Sequence, residues 1–356
     1  MNHLEMFAGI GGFRNALARI ETDWNVPFRN IGFSEIDKYA SISYKANYNT
    51  SNELEIGDIV EFNSNFENII RLESIDLLSG GFPCQSFSMM GKQLGFADAR
   101  GNMFFEIMKI VEQKHPRFIL LENVRNLLSH DDGNTFSTIE YYLNEAGYHV
   151  YKDIFNTVDY HLAQKRKRIY IFATYLDLDE NFKFSAPVIH EVFEEVISAS
   201  SLLKQTTIHD VLEDDVEEKY YLSDRIKRTI LANGSKSYKS RSIVNPVIAK
   251  PLTATMAKMH RACQDNYFTD DFVKGNSARA EMPTSEMGDY TKEAIRKLTP
   301  KEALALQGFD SGFYENAVKA GVSNSQLYKE AGNAVSVNVV YAIAYYLFVH
   351  LKLQDL

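Results

Sequence analysis

The chain has 356 residues, 45% hydrophobic and 24% charged, the make-up of an ordinary globular protein long enough for about two domains. Two cysteines are too few for a disulfide framework, and no run of eighteen apolar residues exists, so neither a stapled secreted scaffold nor a membrane span is expected. A formal net charge of −9 argues on its total against a nucleic-acid partner, though the charge proves to be unevenly spread.

In chain order, Met1-Asn2-His3-Leu4-Glu5 lacks the basic start and apolar stretch of a secretory leader, so a reducing, cytoplasmic setting is expected. Leu4–Phe7 reads as a strand, "FAGIGG" as a glycine turn and Phe13–Ile20 as a helix. The turn is either a packing turn or a cofactor loop; a dinucleotide fingerprint would need a third glycine where Arg14 stands. A second strand, Ile31–Ser34, ends at Glu35, 26 residues past Gly9, where related folds bond ribose hydroxyls. A helix over Lys38–Tyr48 follows, then Asp58 in "GDI", a second acid placed to meet an adenine amine. Singly, each acid also suits a helix cap or the surface.

Strand Ile75–Ser79 runs into "GGFPCQSFS". A free cysteine is commonly a small buried hydrophobe, yet Gly-Gly-Phe-Pro before Cys84 and Gln-Ser after it are not a packing sequence. A nucleophilic cysteine needs a stabilised thiolate or a nearby base. No histidine has a motif around it: His130 in "LSHDDG" and His161 in "VDYHLAQ" read as loop residues. After a helix over Met103–Gln113, strand Phe118–Leu121 ends at Glu122 in "LLENV". A helix over Thr135–Ala146 leads on to "QKRKR", with Arg166 and Arg168, and to strand Ile169–Ala173. A guanidinium stays charged and favours a thiolate or an anionic ring, and a buried glutamate can hold a proton to give. Alone, Glu122 reads as a strand-end carboxylate and "KRKR" as a solvated run. Alternating strands and helices imply an α/β, doubly wound and largely parallel sheet, with Gly9, Glu35, Cys84 and Glu122 beyond its carboxyl edge.

From about residue 190 the periodicity breaks down, and a second, smaller, irregular domain is expected. Between Glu191 and Glu218 there are nine acids against one lysine; between Tyr220 and Arg261, nine Lys or Arg against Asp224 alone. Phosphate contact is local, so the basic stretch is either a nucleic-acid patch or a solvated face. "LTPKEALALQGF" restores a helix with Thr299 as N-cap, Pro300 first and Glu302 third. Val335–Val349 is an apolar helix expected to return and cover the first sheet. No metal site is expected.

Taken together and in order, "FAGIGG", "SEID", "GDI", "GGFPCQSFS", "ENV", "QKRKR", "LTPKEALALQGF" and "YKEAGNAVSVNV" resemble the DNA (cytosine-5)-methyltransferases of prokaryotic or phage restriction–modification systems. The resemblance covers nearly the whole chain outside roughly 190–290. It implies the S-adenosylmethionine-dependent, Rossmann-like methyltransferase fold. Residues 1–190 plus 326–356 would form the catalytic domain, 191–290 a target-recognition domain and 291–325 a hinge. The implied reaction methylates carbon 5 of a cytosine flipped out of double-stranded DNA, with Cys84 as nucleophile and Glu122, Arg166 and Arg168 around the ring. Phe7, Gly9, Gly11, Glu35, Ile36, Asp58, Ile59, Pro83, Asn333 and Val335 would meet S-adenosylmethionine, leaving S-adenosylhomocysteine as product. Gln85, Ser88 and Arg100 would meet DNA from a loop after the nucleophile, and Lys236, Lys239, Arg241 and Thr253 from the recognition domain. Ile36 stands where many relatives carry Trp, and Ala334 where Ser is common, which bears on cofactor affinity. A monomer is expected, paired functionally with a restriction endonuclease but without a stable complex. The RNA-directed branch of the family, a catalytically silent homologue and an unrelated cysteine hydrolase are the rivals, each disfavoured by the motifs present.

Overall fold

The computed structural model describes residues 1–83, 103–231, 243–258, 260–261, 263–284 and 292–356, with the backbone of 234–235 and 238–239. It divides into two compact units: 1–156 with 167–201 and 339–356, and 157–166 with 202–338.

The first unit is built on a seven-stranded sheet. Its strands are β1 (Asn2–Met6), β2 (Arg29–Phe33), β3 (Leu54–Glu55), β4 (Leu77–Gly81), β5 (Phe118–Val124), β6 (His149–Asn156) and β7 (Lys167–Thr174), in the order β3-β2-β1-β4-β5-β7-β6. The first five run parallel; β7 lies antiparallel between β5 and β6. Parallel strands require crossovers, supplied by α1 (Gly12–Trp24), α2 (Lys38–Asn47), α3 (Ile59–Ser64), α4 (Phe66–Arg71) and α5 (Met103–Lys114); α6 (Asn134–Glu145) links β5 to β6. The fold class and the five expected strands are present. β3 and β6 come in addition to the strands expected from the sequence, as do the helices α3, α4 and α7 (Ala186–Val196).

Both faces of the sheet are covered, as buried parallel strands demand. Leu4, Met6, Leu78, Ile119, Leu121 and Ile171 pack with Phe104, Ile107, Ile110, Phe136 and Ile139 of α5 and α6. The alternate residues face the other way, where Phe33 stacks on Tyr44 of α2 and Phe118 meets Phe348. Phe348 belongs to the late apolar segment, which does return to this sheet: Val337–Ala344 is α-helical and Tyr345–His350 continues as a π-helix. By length and hydropathy Asn324–His350 could cross a bilayer, but 83% of its apolar window is buried inside the protein, which marks it as core.

The second unit has no extended sheet among its described residues. Short antiparallel pairs join Ile243–Val244 to Met282–Pro283 and Tyr267–Thr269 to Ile295–Lys297. Leu222, Ile230, Val244, Tyr267 and Ile295 form a small core. An ion pair reinforces it: Arg296 donates to both oxygens of Glu302 at 2.9 and 2.8 Å, both side chains fully buried. Glu302 also closes the capping box with Thr299, so the helix start expected at Pro300 is present and tied to the core.

Candidate functional site

In an open parallel sheet the strand order reverses at one place, and the crevice beyond the carboxyl ends there is where such folds bind ligands. Here the reversal falls between β1 and β4. The turn after β1 carries Phe7, Gly9 and Gly11; the segment after β4 is Phe82-Pro83, leading to Cys84.

Phe7 has φ 52°, a left-handed conformation that costs a bulky residue roughly 1–3 kcal/mol and concentrates at functional turns. Gly9 (φ +55°) faces open space, with nothing within 4 Å of where a Cβ would stand. Gly11 (φ +82°) is the N-cap of α1; a Cβ there would lie 2.5 Å from the Tyr48 ring, so only glycine fits. Glu35 lies just past β2. Its carboxylate accepts from Gly9 N at 2.7 Å and Asp37 N at 2.6 Å, cross-linking the first two strand ends. Burial raises the Glu35 pKa, opposed by those two N–H donors. Ile36 beside it is 74% exposed, an unusual position for an isoleucine. Asp58 caps α3 by accepting from Val60 N at 2.8 Å, and Ile59 is buried beneath.

Beneath the turn lies a network that sequence reasoning missed. Arg14 donates to Tyr44 and, at 2.5 Å, to Glu53, while its guanidinium sits over the Tyr48 ring. Tyr44 donates to Glu5 at 3.2 Å. Burial pushes the Glu5 pKa up to about 8, with Arg14 and the Tyr44 hydroxyl pulling it down. Neighbouring His3 joins Asn30 and Ser79, and burial lowers its pKa to about 4. The only sequence signal was charge inside a strand otherwise apolar.

On the other side of the reversal, register sets the geometry. Gly81 pairs with Glu122 across β4 and β5, and Val124 pairs with Arg168 across β5 and β7. Arg168 Nε therefore reaches Glu122 Oε1 at 2.9 Å, with both side chains mostly buried. Asn123, another residue the sequence reading passed over within "ENV", donates its amide to the Phe82 carbonyl at 2.8 Å, which pins the segment leading to Cys84. Cys84, Gln85, Ser88, Arg100, Lys236 and Arg241 lie outside the described residues, as does the side chain of Lys239. Pro83 is exposed.

Arg166 has partners of its own. It lies in the second unit, 2% exposed, and donates to the carbonyls of Leu252, Gly332 and Ala334 at 3.0–3.3 Å. Gln164 reinforces the same place, accepting from Leu252 N and donating to Leu306 O. The two segments so clamped meet closely: a Cβ on Gly332 would lie 2.3 Å from the Thr253 and Ala254 backbone. Thr253 accepts from Arg261 at 3.1 Å. Asn333 is exposed and Val335 half-buried. No cluster of metal-ligating side chains occurs among the described residues.

Comparison with known proteins sharpens the picture. A profile described as "C-5 cytosine-specific DNA methylase" matches residues 1–348. The type II methyltransferase M1.ScrFI of Lactococcus lactis subsp. cremoris is 36% identical, over 96% of this chain and 76% of its own. The type II methyltransferase M.HaeII of Haemophilus aegyptius is likewise 36% identical, over 96% and 91%. Among solved structures, the Entamoeba histolytica methyltransferase EhMeth superposes with a TM-score of 0.71 at 20% identity, covering 99% of both chains, a likeness of fold.

Proposed function

The chain belongs to the C-5 cytosine-specific DNA methylase family, and on that premise we propose how its own residues carry out the reaction. It is a DNA methyltransferase of the restriction–modification type. The substrate would be a cytosine in a short specific site of double-stranded DNA, swung out of the helix at a cost of a few kcal/mol in stacking.

Carbon 5 of cytosine is too weak a nucleophile to take a methyl group unaided. In this reading the Cys84 thiolate adds to carbon 6, and the new C–S bond turns the ring into an enamine whose electron pair resides at carbon 5. Glu122 bonds the N3 and amine edge, stabilising charge as it develops, and Arg168 holds the O2 side while fixing the Glu122 carboxylate. Carbon 5 is then methylated, loses its proton to a base, and the C–S bond breaks, restoring aromaticity and the thiolate. Arg166, beside Arg168 toward the O2 side, is anchored on three carbonyls and so also braces the Thr253 and Asn333 segments. The observation that supports this reading best is the Glu122–Arg168 pair, one strand over from the segment that Asn123 holds.

The residues at the β1 turn fit S-adenosylmethionine. Gly9 leaves its backbone open, the Glu35 oxygens retain lone pairs for ribose hydroxyls, and exposed Ile36 offers an apolar surface to adenine. Phe7, Gly11, Asp58, Ile59, Pro83, Asn333 and Val335 complete the proposed set. When bound, the cofactor supplies an electrophilic methyl group on a sulfonium. The region 191–290 would read the target, with Thr253, Lys236, Lys239 and Arg241 on the DNA, and Gln85, Ser88 and Arg100 closing over the flipped base. We place the enzyme in the cytoplasm as a monomer, guarding DNA from a separate endonuclease.

Bisulfite sequencing of DNA from cells expressing the protein should show 5-methylcytosine at one short sequence. Cys84→Ala should abolish it, and a duplex carrying 5-fluorocytosine in that site should trap wild type covalently but not Cys84→Ser. An equal adduct with the serine variant would remove the thiol from the mechanism.

A further inference from the structure

We propose that a cleft in the second unit, walled by the 254–258 turn and the start of helix Asn324–Asn333, seats the sugar-phosphate backbone of the DNA. The inference rests on the DNA reading above and adds the residues that would grip the strand.

The cleft holds about 580 Å³ of open space and is lined by Thr255, Lys258, Ser325, Gln326 and Lys329, with two alanines between. That is two ammonium groups, two hydroxyls and an amide, with no carboxylate among the described lining residues. In a chain with 47 acids against 38 bases, a cleft whose described lining carries two lysines departs from the average composition. The helix wall also has no acid in its first turn, where its dipole favours negative charge.

The walls are fixed. The turn is closed by Met256 N to Thr253 O and Lys258 N to Thr255 O, and Arg261 donates to the hydroxyls of both Thr253 and Thr255. Behind it, the tight approach of Gly332 to the Thr253–Ala254 backbone sets the turn's distance from the helix. Lys258 and Lys329 are both exposed. A small anion at exposed lysines gains little in high dielectric, whereas a polyanion gains by releasing its condensed counterions. Hydroxyls, amides and lysines are the groups that grip phosphates and set register. The cleft is therefore assigned to backbone rather than base recognition.

The test uses the full chain. Lys258→Gln/Lys329→Gln and a control with the same charge change, Lys274→Gln/Lys319→Gln, are titrated with fluorescent duplexes of unrelated sequence across a salt series. The cleft variant should bind about tenfold more weakly, alike for every sequence, and its log K against log salt slope should fall by about 2. The control should match wild type in affinity, slope and kcat. A slope unchanged in the cleft variant, or lost equally in the control, would overturn the assignment while leaving the methyltransferase reading intact. Wild type that binds no duplex at all would sink the DNA reading and this cleft with it.

Discussion

Two buried residues on one strand give the molecule opposing responses to pH. Burial lowers the His3 pKa to about 4 from an ordinary 6.5, so the unfolded chain binds more protons between those values and stability rises with pH there. The Glu5 pKa is raised to about 8 from 4.5, so the folded chain binds more protons in that window and stability falls as pH rises through it. Between about 4.5 and 6.5 the two slopes oppose each other; above 6.5 only Glu5 remains. Thermal unfolding should therefore drop in midpoint from pH 6.5 to 8, and Glu5→Gln should flatten that drop. A midpoint that declines equally in the variant would assign the dependence to other groups. Glu5 lies two residues before the strained Phe7, so the same titration should reach the cofactor turn. Affinity for S-adenosylhomocysteine, measured by calorimetry, is expected to follow the same pH window.

At the scale of elements, the contrast between Arg166 and Arg168 is one of position relative to β7. Arg168 is inside the strand, its side chain set by register against Val124 and directed to Glu122. Arg166 stands before the strand begins and is held by main-chain carbonyls from two distant segments. Hydrogen bonds to a buried charge are worth about 1.5–3 kcal/mol each, and lysine cannot reproduce the planar fork. Arg166→Lys should lower unfolding free energy in urea by about 2 kcal/mol or more. Arg168→Lys should leave stability within about 0.5 kcal/mol yet lower kcat. A reversed pattern would exchange their roles. The sequence showed both arginines in one run and had no means of separating them, because the carbonyls that claim Arg166 are 86 to 168 residues away. What was legible at this scale was whatever local physics decides. The continuous apolar run Phe118–Leu121 made a buried central strand, and the Thr299–Glu302 box made a helix start. β6, with Lys152 and Asp153 in its middle on an outer position, alternates too imperfectly to be seen, and β3 has only two residues.

For the molecule as a whole, the sign of the net charge is a poor guide to its partner. The basic stretch from Tyr220 to Arg261 follows an acidic one, and DNA responds to the local charge within about a Debye length of 8–10 Å. Reversing Lys236, Lys239 and Arg241 to Glu should weaken duplex binding and reduce the salt slope by up to about 3, measured by anisotropy. An unchanged slope would move the DNA face away from this stretch. The catalytic half of the proposed site was legible because strand-end residues are placed by topology. The recognition half was legible only as composition, since short irregular pairs such as Ile243–Val244 carry no period to read.

The return of the late apolar segment to the first sheet also has a temporal side. Phe118 is buried against Phe348, so a ribosome must add 230 more residues after one partner before the other exists. At roughly 5–20 residues per second that interval is about 12–46 s, during which the apolar patch around Phe118 lacks its late cover. Nascent chains of this protein should accordingly recruit chaperones until translation passes His350, and should show no methylating activity while still tethered before that point.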